Sequence, residues 1–164
     1  MSGFEIKNLA NPLYFEENVL PPHSDHKYYG SEAELASGCS SFKYSLNGLW
    51  HIHVARNLAE RPEGFEGSDY DCRHWDTIAV PAHIQMEGYG KPHYTNTTYP
   101  WDGHEAIAPG ELPQENTVAS YVKYFAVPEG WQDVRISFQG AETALAVWLN
   151  GHFVGYSEDS FTPS

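Results

Sequence analysis

Asn150-Gly151 stands between Ala146-Val147-Trp148-Leu149 and His152-Phe153-Val154-Gly155-Tyr156. Both central residues of a type I′ turn need positive φ, and Asn-Gly supplies this at little steric strain, so the stretch predicts a two-residue β-hairpin. Upstream, residues 118–127, 134–138 and 143–149 are rich in β-branched and aromatic side chains and recur at regular spacing, which predicts three further strand segments. Val134-Arg135-Ile136-Ser137-Phe138 alternates apolar and polar without a break. Trp50, Ile52 and Val54 alternate in the same way with His51, His53 and Ala55, a half-buried strand preceded by the turn signal Asn47-Gly48. Trp75-Asp76-Thr77-Ile78-Ala79-Val80 reads as a short strand stopped by Pro81. Short strands, turns and long loops together predict an all-β, jelly-roll-like sandwich.

At 164 residues the chain suits one core. Apolar residues make up 41% and aromatic residues 15%, too many for a disordered segment, while 14 Gly and 11 Pro keep the regular pieces short. Residues 1–45 are polar and irregular, broken by Asn11-Pro12, Pro21-Pro22 and Gly30, and read as an arm over the domain or a neighbour. Within the arm, Glu32 to Ala36 suits one helical turn. Residues 46–164 form the domain. Residues 82–116 are Gly- and Pro-broken in a Tyr- and Trp-rich background. Long ordered loops usually carry function, so the ligand-facing surface is expected there.

Nine Lys and Arg against 22 Asp and Glu leave a net charge of −13, which repels phosphate backbones and anionic membranes. Nucleic acid and membrane are therefore excluded as expected partners. Cys39 and Cys72 have no CxxC spacing, and no apolar run reaches 18 residues or follows a basic N-terminus. A reducing cytoplasm is the expected location. His51-x-His53 places two imidazoles on one strand face, a zinc-compatible spacing without a third ligand, and His23-x-x-His26 with Asp25 fares no better. No GxSxG elbow supports a nucleophilic triad, and Gly88-Tyr89-Gly90 leads into proline as turn chemistry rather than a phosphate loop. Asn96-Thr97-Thr98 matches a glycosylation sequon, set aside without a secretion signal.

Tyr94-Thr95-Asn96-Thr97-Thr98-Tyr99-Pro100-Trp101-Asp102 packs amide, hydroxyl and carboxylate groups between aromatic rings. Sugars use both kinds of group. Their C–H faces stack on rings, and their hydroxyl pairs suit planar amides and carboxylates. A packed aromatic loop without ligand is the other reading of the same composition.

Ser45-Leu46-Asn47-Gly48-Leu49-Trp50, Trp75-Asp76-Thr77-Ile78-Ala79-Val80-Pro81-Ala82-His83-Ile84-Gln85-Met86-Glu87-Gly88-Tyr89 and Tyr94 through Pro100 resemble, in that order, family 2 β-galactosidases. Val147-Trp148-Leu149-Asn150-Gly151 with Val154-Gly155-Tyr156-Ser157 and Asp159-Ser160 resembles a hairpin shared by the whole family, β-glucuronidases and β-mannosidases included. The resemblance covers about residues 11–164. It implies a galactose-binding-like jelly roll at the N-terminus of a multidomain retaining glycosidase. The acid/base and nucleophile glutamates would lie in a (β/α)8 barrel outside this chain, and no catalytic residue is expected within it. Asn96 is implied to reach the galactose subsite, with Thr97 beside it in the loop.

Magnesium and sodium, on the same resemblance, belong to the parent enzyme, leaving this chain without a cofactor. The expected partners are a β-galactoside and the remaining domains or a second chain, in a homo-oligomer. Relatives continue past Ser164, so the jelly roll is expected to lack its last strands here. Two other functions remain open at this stage: a stand-alone carbohydrate-binding module, and an assembly scaffold without catalysis.

Overall fold

The computed structural model describes residues 4–23, 26–91, 96–99, 101 and 103–164. Among the described residues, six strands and one short α-helix alternate with loops: β1 Glu16–Glu17, α1 Glu32–Ser37, β2 Gly48–Ala55, β3 Asp76–Val80, β4 Val118–Val122, β5 Leu145–Leu149 and β6 His152–Ser157. Single 3₁₀ turns occupy Ile6–Ala10, Leu58–Glu60 and Ile84–Glu87. The strands form two antiparallel sheets of three, ordered β3-β2-β4 and β1-β6-β5. The chain is thus all-β apart from α1 and the 3₁₀ turns.

The alternation in β2 explains its central place. Ile52 lies opposite Asp76 on one side and Tyr121 on the other, and its side chain is 1% exposed. Ile78 is buried on β3, and Trp50 meets the Tyr121 ring edge-on at 6.4 Å. β2 continues past β3, because pairing with β3 ends at Ile52 while pairing with β4 runs on to Ala55.

β4 is shorter than the expected strand over 118–127. In the register that pairs His51 with Val122, the next pairs would be Trp50 with Lys123 and then Leu49 with Tyr124. There the Lys123 ammonium donates to the Leu49 carbonyl at 2.8 Å, meeting with a side chain an acceptor on the strand's edge. The ladder stops, and Tyr124 is carried off the sheet.

Residues 134–138 do not form the expected strand either. Their alternation supplies a face, but a strand also needs a neighbour with which to exchange hydrogen bonds. Among the described residues only Phe138 finds one, exchanging both backbone bonds with Ser164 at 2.7 and 2.9 Å. The third expected segment begins at Leu145 rather than at residue 143.

The expected hairpin is present. Asn150 has φ 51° and Gly151 φ 80°, the pair of positive values that a type I′ turn demands. Val147 lies opposite Gly155 but Trp148 opposite Phe153, so β6 carries one extra residue, a bulge at Val154. The other edge of β6 is covered by β1, which pairs Glu16 with Ser157 and Glu17 with Tyr156. The first residues also pack on the hairpin. Phe4 lies 5.7 Å from the Trp148 ring and 5.1 Å from that of Tyr156, and Tyr14 stacks on Tyr156 at 5.3 Å. The Tyr14 hydroxyl donates to Glu17 and the Tyr156 hydroxyl to Glu158.

In α1, the Ser31 hydroxyl accepts from the Glu34 amide at 3.2 Å, and the Glu34 carboxylate takes the Gly30 and Ser41 amides at 2.9 and 3.0 Å. Gly38, with φ 72°, closes the turn.

Accessible surface totals 12703 Å², against about 8,200 Å² for a compact monomer of this mass. The chain therefore leaves much apolar surface open, including Leu13, Met86 and Phe161.

Gly155 marks where β1 crosses closest to the hairpin, since a Cβ there would sit 3.0 Å from the Glu17 carbonyl oxygen. Gly155→Ala is expected to push β1 off β6 and to destabilise the fold by about 1–3 kcal/mol. Amide hydrogen exchange checks this: protection at residues 16–17 should fall selectively, and unchanged protection would show that the strand accommodates the methyl group.

Candidate functional site

Asn96 and Thr97 sit together at the surface. Both are exposed, and the Thr97 hydroxyl lies 3.5 Å from the Asn96 side-chain oxygen, at the outer limit of a hydrogen bond. Tyr99 stacks on Trp101 with ring centroids 5.5 Å apart and planes 7° from parallel, and Tyr99 is 68% exposed. An exposed amide and hydroxyl thus stand two to five residues from a stacked aromatic pair. Tyr94, Thr95, Pro100 and Asp102 of the same stretch lie outside the described residues. The preceding 3₁₀ turn at Ile84–Glu87 ends on Gly88, φ 91°, and Gly90 follows with φ 68°, as turn chemistry requires.

His51 and His53 do share a face of β2. His51 meets the edge of the Tyr124 ring at 6.3 Å, and His53 tilts against Trp75 at 5.5 Å. Their Nδ1 atoms and the Trp75 Nε1 are buried without a hydrogen-bond partner among the described residues. Among those residues no group of three His, Cys, Asp or Glu side chains is placed to hold a metal ion. Both cysteines are free, Cys39 exposed and Cys72 buried. No helix among the described residues is long and apolar enough to cross a membrane.

After the hairpin, Asp159 organises a tight turn. Its carboxylate accepts from the Thr162 hydroxyl at 2.7 Å and from the Phe161 and Thr162 amides at 2.8 and 3.2 Å. These bonds, the Thr162 hydroxyl's first, hold the Asp159 carboxyl below its ordinary pKa.

One arrangement was missed in the sequence. Arg73 grips Asp71 with two parallel bonds, Nε to Oδ1 at 2.8 Å and Nη2 to Oδ2 at 2.7 Å, and this guanidinium holds the Asp71 carboxyl well below the usual carboxylate range. The signal was available: an Asp two residues before an Arg suits a turn in which the carboxylate accepts the amide of the second residue on, as the Arg73 amide donates to Asp71 Oδ1 at 3.0 Å.

The sequence itself is similar to known proteins. The family profile described as "Glycosyl hydrolases family 2, sugar binding domain" matches residues 43–164, and this chain belongs to that family. It is 54% identical over 92% of its length to a protein named beta-galactosidase from Halalkalibacterium halodurans, covering 15% of that protein. It is 48% identical over 95% of its length to a beta-galactosidase from Lactobacillus delbrueckii subsp. bulgaricus, covering 16% of it. Against the beta-galactosidase large subunit of Leuconostoc lactis identity is 47% over 95% of this chain and 27% of the relative. The chain thus spans less than a third of each.

Because the Asp159 pKa is depressed in the folded state, its contribution is present above the unfolded carboxylate value near 4 and is lost as pH falls through the folded value. Asp159→Ala is expected to lower Tm at pH 7. The gap to the parent chain should narrow on acidification below about pH 4, where the parent carboxylate is also protonated. Parallel thermal melts across pH test this, and a pH-independent gap would assign the turn's stability to other groups.

Proposed function

We propose that this chain is the sugar-binding, jelly-roll domain of a retaining β-galactosidase that hydrolyses terminal β-D-galactose residues, and that its 96–101 loop lends Asn96 to the galactose subsite. The observation that carries the reading is the exposed Asn96 amide beside the Thr97 hydroxyl and the Tyr99–Trp101 stack, on a chain 54% identical to a beta-galactosidase. A carboxamide donates and accepts in one plane, which matches a pair of sugar hydroxyls. Thr97 supports the amide and offers its own hydroxyl.

Bond cleavage falls to parts of the enzyme outside these residues. A retaining mechanism needs two carboxylates about 5 Å apart across the scissile bond, one protonating the leaving oxygen and one forming the glycosyl-enzyme. On this reading both glutamates belong to a (β/α)8 barrel supplied by further domains or a partner chain, in a homo-oligomer. That some relatives are named large subunits supports an assembly of this kind. On the same reading, magnesium and sodium would be held by those other parts as well. The two free cysteines suit a cytoplasmic protein.

Two experiments test the reading. The 164-residue chain alone is expected to leave a chromogenic β-galactoside unhydrolysed, and turnover surviving repurification would overturn the division of labour. In the complete enzyme, Asn96→Ala should remove about 1–3 kcal/mol of binding, roughly ten- to a hundred-fold in kcat/KM, with Tm unchanged. A lower Tm with normal kcat/KM would make Asn96 a turn residue instead.

A further inference from the structure

Where β4 leaves its ladder, Tyr124 is held in place on two sides. Its hydroxyl lies 3.5 Å from both the Tyr70 carbonyl and the Sγ of Cys72, a residue with no exposed surface, and the His51 ring meets it edge-on. The residue is nevertheless 63% exposed. Beside it stands the Asp71–Arg73 fork, with the Arg73 amide adding a third bond to Asp71 Oδ1 at 3.0 Å. Together with Ser68, Asp69 and Tyr70 these side chains line an open dish of about 470 Å³.

We propose that this dish is a second carbohydrate-binding site, separate from the Asn96 loop, in which a sugar ring stacks on Tyr124 and its neighbouring hydroxyls bind the Asp71–Arg73 fork. An aromatic face beside planar polar groups answers the two sides of a pyranose, its C–H face and its hydroxyl rim. The polar groups are not used up. A guanidinium has five N–H donors, and Arg73 places two of them on Asp71, leaving three for a ligand, while each carboxylate oxygen keeps acceptor capacity. The fork is already ordered by its paired bonds, so a ligand meets fixed partners and little side-chain freedom is lost on binding.

Charge narrows the choice of ligand. Asp69 and Asp71 against Arg73 leave the dish acidic, which disfavours phosphorylated and acidic sugars and favours neutral ones. The volume lies within the usual range for small-ligand sites and suits one or two sugar units. A basic peptide would also be drawn by the acidic balance, but its cationic side chains would meet the Arg73 guanidinium with like charge. This inference does not depend on the Asn96 reading.

Protein-observed NMR titration of the 164-residue chain with galactose and with lactose separates the two sites. Shifts that saturate at residues 68–73 and 124 are expected. Arg73→Ala should weaken them at least ten-fold, Arg73→Lys should restore them only in part because the fork is lost, and Asn96→Ala should leave them intact. Tyr124→Ala should abolish them. Arg73 is the safer probe because its side chain is largely solvent-facing. Overturning results are sugar shifts confined to the 96–101 loop, shifts at 68–73 indifferent to Arg73→Ala, or a dish that responds to an oligolysine peptide and to neither sugar.

Discussion

Phe65 joins the two sheets. Its ring lies 5.8 Å from Trp75, at the entrance to β3, and 6.4 Å from Trp148 on β5. Among the described residues each sheet has three strands, and all four edge strands run for five residues or fewer, so neither face could stay dry alone. The aromatic chain continues on both sides: Trp75 receives His53 and Tyr70, and Trp148 receives Phe153 and Phe4. Large rings bury much area per residue at a small loss of side-chain freedom, which suits a fold with so few fully buried aliphatic residues.

The Tyr124 dish and the Asn96 loop both follow points where a ladder stops. Pairing of β2 with β4 ends at Val122, and Tyr124 is released to the surface within reach of Tyr70 and the Asp71–Arg73 fork. Pairing of β2 with β3 ends at Val80, and the chain then runs through Pro81 and the Ile84–Glu87 turn towards Asn96. β2, paired on both sides, thus sets where each connecting segment leaves the sheet.

The openness of the fold belongs with its membership of a family whose relatives are several times longer. Surface well above that of a compact chain leaves large apolar residues without cover. Within the chain the N-terminal residues already do some of this covering, by giving β6 a partner strand and shielding Tyr156.

Much of the fold was legible because its signals are local. Asn150-Gly151 specifies its turn through the backbone freedom of two residues, and the period-two pattern of β2 needs only a sheet to lie against. The residues proposed to face a sugar, Asn96 and Thr97, were visible as part of a mixed polar and aromatic loop. What pairs with what was not legible, since a strand exists only with its neighbour: residues 134–138 have the pattern without the ladder, and Glu16–Glu17 has the ladder without the pattern. The dish at Tyr124 likewise depends on tertiary structure, because it brings together residues more than fifty positions apart. Sequence alone determined the strand-and-turn alphabet and the family. Only the folded chain decided where the ladders end, because hydrogen-bond partners are contributed by distant segments and not by the residues that carry the pattern.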